Sequence, residues 1–158
     1  MPELDDIYNP RILEYAANIP RAVRLKHPQA SATAHSKLCG STVTVDLVMD
    51  GDIVKDFGQT VKACLLGQAA SSIMARNVIG ASANELRSVG DTMRKMLKED
   101  GPPPNGKWED LEVLEPVRDF KARHASTLLI FDAVEDAIGQ IEASRTDQAE
   151  PRQAEPCA

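Results

Sequence analysis

Two cysteines and a histidine carry the chemistry this sequence offers: Cys39, Cys64 and His124. Cys39 is followed by Gly40, so the backbone beside the thiol can approach an ion closely. Cys64 directly precedes LLGQAASS, a small-residue run of helical type. A thiol just ahead of a helix N-terminus meets the positive end of the dipole, which favours the thiolate, the form that binds metals and attacks sulfur. That makes Cys64 the candidate reactive residue. His124, in KARHAS, stands just before the start expected for the last helix. Two thiolates and an imidazole are a donor set for a borderline-soft ion such as zinc or iron. The same spacing also suits two buried thiols and a surface imidazole, because no Cys-x-x-Cys pair strengthens the set.

The elements around these residues decide whether they meet. Val43, Val45, Leu47 and Met49 alternate with Thr42, Thr44 and Asp46, the period of a half-buried strand. Asp50-Gly51 is a preferred dipeptide for a tight hairpin turn. A second strand is expected from Ile53 to Phe57 and a third from Thr60 to Ala63. This three-stranded antiparallel meander returns Cys64 to the sheet end that holds Cys39. Upstream, Asn9-Pro10 opens a helix with Ile12, Tyr15, Ala16 and Ile19 on one face, and Pro20 closes it. Arg21, Arg24, Lys26 and His27 read as a solvated basic patch, and Gln29 to Lys37 as a loop. Downstream of the first long helix, Ser82 and Glu85 form a capping box for another. Asp100 to Gly106 is proline-rich and therefore an exposed loop; Trp108, Leu111 and Leu114 mark a short helix that Pro116 stops. A final helix is expected over Ser126 to Ala143. Asp46 and Asp132 are read as solvated side chains of the first strand and last helix, and Ser41 and Ser126 as hydrogen-bonding residues.

Composition bounds the rest. The chain has 158 residues, 42% of them hydrophobic, enough for one ordinary core. A single domain over 1–143 is expected, followed by a polar tail, 144–158, with too little apolar surface to order itself. A net charge of −6 argues against a nucleic-acid or anionic-membrane surface. No apolar run approaches a membrane span, and the acidic start is unlike a signal peptide, so a cytoplasmic protein with reduced thiols is expected. The third cysteine, Cys157, falls in the tail.

The order of these features, with YNPRIL near the start, LCG before the first strand, VKACLLGQAASS, and ARHASTLLIFDAVEDAI, resembles the scaffold family for iron–sulfur cluster assembly, the NifU N-terminal, IscU and SufU type. The resemblance spans Ile7 to Ile141 and implies an α+β fold with helices packed on one face of the sheet. It implies an iron–sulfur cluster, iron or zinc held by three cysteines and an aspartate, of which Cys39 and Cys64 match the first two cysteines. The aspartate's position is Ser41 here, and the third cysteine's is Ser126. Phe120 to Arg123 is similar to the SufU branch, and the proline-valine-basic run that a chaperone recognises in other members appears only as Leu114 to Arg118. The implied partners are a cysteine desulfurase and cluster-recipient proteins. The implied role is a non-enzymatic scaffold or carrier. Two alternatives stand beside it: a zinc-bearing acceptor of persulfide sulfur, and an interaction module that has lost the metal.

Overall fold

The computed structural model describes residues 9–37 and 40–154, with side-chain surroundings through Arg145. Helix α1 (Pro10–Ala17) begins as its sequence dictates, with Asn9 Oδ1 accepting from the Ile12 amide at 3.1 Å and proline at the first helical position. Three antiparallel strands follow in sheet order β1 (Ala30–His35), β2 (Thr42–Asp50) and β3 (Ile53–Lys62). Helices α2 (Leu65–Asn77), α3 (Ala83–Lys98) and α4 (His124–Ala154) come next, with two 3-10 segments, Gly106–Asp119 and Lys121–Arg123, between α3 and α4. The α+β class and the meander expected from the sequence stand.

The strand positions need two corrections. The expected loop at Gln29 to Lys37 contains strand β1, paired with β2 from Ala30↔Leu47 to His35↔Thr42. Its inward residues are Ala30 and Ala32, too small to advertise a strand, yet buried in the same core as α4 residues such as Phe131 and Val134. The expected second and third strands are one continuous strand, β3. Gly58, in the gap left between those two expected strands, sits within β3, and another segment crosses there. A Cβ at Gly58 would lie 2.3 Å from the Val23 carbonyl oxygen. The Gln59 amide donates to that carbonyl at 3.0 Å.

On β2, Val43, Val45, Leu47 and Met49 all point into the core, as their alternation requires. Asp46, on the other face, is not solvated. It is fully buried, accepting from Arg24 Nε at 2.6 Å and Nη2 at 2.9 Å, Ser31 Oγ at 2.6 Å and the Leu25 amide at 2.9 Å. Arg24 therefore leaves the expected basic patch to clamp the segment before β1 onto the sheet. Asp132 is half-exposed but paired, accepting from Arg94 Nη2 at 2.7 Å.

The helices hold their expected starts better than their ends. Ser82 Oγ accepts from the Glu85 amide at 3.0 Å, while the Glu85 carboxylate accepts from Trp108 Nε1 at 2.8 Å. That second bond fastens the 3-10 segment to α3. The segment runs through Pro116 rather than stopping there. Helix α4 begins two residues before its expected start and continues past the expected domain edge at 143. Cys157 lies outside the described residues.

Candidate functional site

The sheet delivers the site at one end. Pairing of His35 with Thr42, and of Thr42 with Lys62, places the β1–β2 connection beside the exit of β3 into α2. Ser36 and Ser41 close that connection with a backbone bond of 2.9 Å, and Gly40 takes a positive φ of 70° that suits glycine. Cys39 itself lies outside the described residues. The chain then leaves β3 through Ala63 and turns into α2 at Cys64.

Cys64 is the N-cap residue of α2, with extended backbone, φ −67° and ψ 172°, and no side-chain capping bond. Its carbonyl accepts the first helical bond, from the Gln68 amide at 2.9 Å. Serine, threonine, aspartate and asparagine are the usual residues here, since their oxygens satisfy a free amide of the first turn. A thiol does this poorly. The thiol is half-buried and packs against the core, while Leu65 beside it is exposed.

The nearest polar partner of the thiol is Ser126. The Cys64 S–H donates to Ser126 Oγ across 3.4 Å, and the Ser126 hydroxyl donates to the Arg123 carbonyl at 3.2 Å. That carbonyl also accepts from Thr127 Oγ1 at 2.8 Å. Ser126 is buried at the start of α4, so the first turns of α2 and α4 meet at these two side chains.

His124 begins α4 and is also buried. Its Nε2 faces the carbonyls of Val117 at 3.1 Å and Arg118 at 3.0 Å. Both are acceptors, so Nε2 carries the hydrogen and only Nδ1 keeps a lone pair for a metal. Among the described residues no three His, Cys, Asp or Glu side chains come together to hold an ion. Those residues provide one thiol, and the other candidate thiol, Cys39, lies outside them. The contact with Ser126 carries no signal of its own in the sequence. Its position emerged only from the family resemblance.

Gly67 keeps the two helix starts together. A Cβ there would lie 2.8 Å from Ala63 Cβ and 3.0 Å from the Ser126 carbonyl oxygen. Alanine normally improves a helix interior by roughly 1 kcal/mol over glycine, but overpacking against backbone costs about 1–3 kcal/mol. The second effect is larger here, because neither neighbour is the end of a flexible side chain. Gly67→Ala is expected to lower Tm by about 2–4 °C for each kcal/mol of net loss. A Tm at or above that of the parent chain would show that α4 yields freely at Ser126.

No family model matches the chain. The N-terminal NifU-like protein of Brucella abortus, a crystal structure, superposes with a TM-score of 0.87 at 64% identity, over 89% of this chain and 97% of that one. The iron–sulfur cluster assembly scaffold protein IscU of Thermotoga maritima is 25% identical over 137 residues, 85% of this chain and 94% of the relative. The zinc-dependent sulfurtransferase SufU of Bacillus subtilis is 24% identical over 139 residues, 88% of this chain and 94% of the relative. With this fold, a cysteine at the junction of sheet and helix, and 64% identity to the NifU-like protein, the chain belongs to the iron–sulfur cluster assembly scaffold family.

Proposed function

We propose that this protein is a scaffold or carrier for iron–sulfur cluster assembly, with iron and sulfide, or a formed cluster, as its cargo. The observation that carries this reading is Cys64: a half-exposed thiol at a helix N-cap where serine would cap better, at the sheet end shared with the β1–β2 connection. Cys39 and Cys64 are the sulfur ligands in this reading, and His124 joins them only through Nδ1. Sulfur comes from a cysteine desulfurase. The Cys64 thiolate attacks the outer sulfur of the donor's persulfide, a new S–S bond forms, and the donor's thiolate leaves. The cargo then passes to recipient proteins. The chain performs no turnover of its own in this reading, and its site is cytoplasmic. Among the described residues no helix is long and apolar enough to cross a membrane, and the net charge of −6 gives no support to a nucleic-acid partner.

One observation favours the second reading, a zinc-bearing sulfur acceptor. A persulfide needs a single thiol, and Cys64 is the one free cysteine among the described residues. Anaerobic purification followed by iron, zinc and acid-labile sulfide analysis separates the two. The scaffold reading expects iron and sulfide together, with visible charge-transfer absorption, after supply of iron and a desulfurase. Zinc with persulfide but no sulfide would establish the acceptor instead. A chain that takes up neither metal nor sulfur is an interaction module.

A further inference from the structure

The two borders of the sheet differ in charge and in cover. Strand β3, at one border, carries Lys55, Asp56 and Lys62 and is crossed at Gly58 by Val23. Strand β1, at the other, reads Ala-Ser-Ala-Thr-Ala-His, with neither a charged residue nor a proline to deter a second strand. The Ser36 amide donates to the Ser41 carbonyl one step beyond His35↔Thr42, so His35, Thr33 and Ser31 face β2 in non-hydrogen-bonded pairs. The side chains agree, since such pairs bring them close. Thr33 Oγ1 lies 3.0 Å from Thr44 Oγ1, and Ser31 Oγ lies 2.6 Å from Asp46 Oδ1. The amides and carbonyls of Ser31, Thr33 and His35 therefore point away from β2, and among the described residues no backbone group bonds to them. All three residues are exposed. A border left open in this way is a template for an extended strand.

We propose that β1 pairs with β1 of a second copy of this chain, antiparallel about a two-fold axis at Thr33, joining two three-stranded sheets into one. The strand's own sequence selects that occupant. A two-fold axis at Thr33 sets Thr33 against Thr33 of the second copy, Ser31 against its His35, and Ala32 against its Ala34. The outward backbone groups of each copy then meet those of the other in hydrogen-bonded pairs. Just past the strand, Lys37 faces Gln29 of the second copy, so like charges do not oppose each other. The surface is thus complementary to itself, and it offers no charge by which to choose a segment of a different protein. The interface closes at two copies because it uses the same strand of each. The His35 ends of the two strands point in opposite directions, so the pairing does not bring the two Cys64 thiols together.

The test weighs the full chain by sedimentation equilibrium over a concentration series. The parent chain is expected to pass from one copy to two. Thr33→Lys and Thr33→Glu should each weaken that association at least about tenfold at low salt, since each sets a like charge against itself at the axis. An equimolar mixture of the two variants should recover the two-copy mass, because opposite charges then meet. Thr33 is on the exposed face, so both variants should keep the parental Tm. A parent chain that stays single up to about 1 mM would overturn the proposal and leave the border to a segment of another protein. Charge variants that associate like the parent, or a mixture no better than its components, would overturn it too. So would a mass that keeps rising past two copies. A separate arm oxidises Thr33→Cys with diamide, and peptide mapping then reads a disulfide between position 33 of two copies. Hydrogen-bonded antiparallel pairs hold their Cα atoms about 5.5 Å apart, within reach of that bond. Its absence in a chain with parental Tm would overturn the register.

Discussion

Cys64→Ser abolishes sulfur acceptance and raises stability at the same time. The two effects come from one atom. As the N-cap of α2, Cys64 already has the extended backbone of a capping residue but makes no capping bond. A serine oxygen at the same place accepts from the first-turn amides of Leu66 or Gly67, which is worth about 0.5–2 kcal/mol relative to a non-capping residue. Against this stands the weak bond to Ser126, which a serine can keep. The variant should therefore melt at or above the parental temperature, while mass spectrometry after incubation with a desulfurase shows no added sulfur on residue 64. The combination is diagnostic of a residue retained against stability for its chemistry. Undiminished sulfur uptake by Cys64→Ser would sink this prediction and move the acceptor role to Cys39 or Cys157.

The largest stability loss is expected at Asp46. Burial pushes its carboxyl up, and the hydrogen bonds from Arg24, Ser31 and the Leu25 amide, with the Arg24 charge, outweigh that and hold it below the usual carboxylate range. Asp46→Ala leaves the Leu25 amide and Ser31 hydroxyl without their acceptor and removes the clamp on the segment before β1. The cost is about 2–4 kcal/mol, most of it from stranded donors. The sign of the pH effect follows from the direction of the shift. A carboxylate lowered by folding contributes in full above its unfolded pKa of about 3.9 and loses that contribution as pH falls through the folded value. The parent Tm should therefore decline on acidification below about pH 4, and Asp46→Asn, already short of that charge, should decline less. Parallel curves for the two proteins down to acid pH would show that Asp46 does not carry the acid transition.

These residues also show where a sequence speaks and where it is silent. Asn9-Pro10, the alternation of Val43 to Met49, and Ser82 with Glu85 are local signals, and each element begins or runs where they say. Strand β1 was invisible because alanine at 30 and 32 is apolar without being large, and its strand identity comes from pairing with β2. The gap between Phe57 and Thr60 closed because Gly58 allows the close approach of Val23 within a continuous strand. Asp46 read as solvated because its partner, Arg24, is 22 residues away. The candidate site follows the same division. The helix-capping position of Cys64 is local and was legible. The burial of His124 and its pairing with the carbonyls of Val117 and Arg118 depend on how the 3-10 segment folds back, which no periodicity records. Ser126 was placed only by the family resemblance, since 62 residues separate it from Cys64.

The crossing of Val23 over Gly58 decides how copies of this protein can pack on one another. Strand β3 lies at one border of the sheet, where unpaired amides and carbonyls ordinarily invite a strand from another chain. Here the Gln59 amide is taken by the carbonyls of Arg21 and Val23, and the Val54 amide by that of Ala81. The Val54 carbonyl accepts from Gly80 at 2.9 Å. The protein's own loops occupy that ladder near the start of β3, at Val54, and past its middle, at Gln59. Growth of the sheet into a fibre from this border would first have to unthread them, so the protein resists polymerisation by strand addition there.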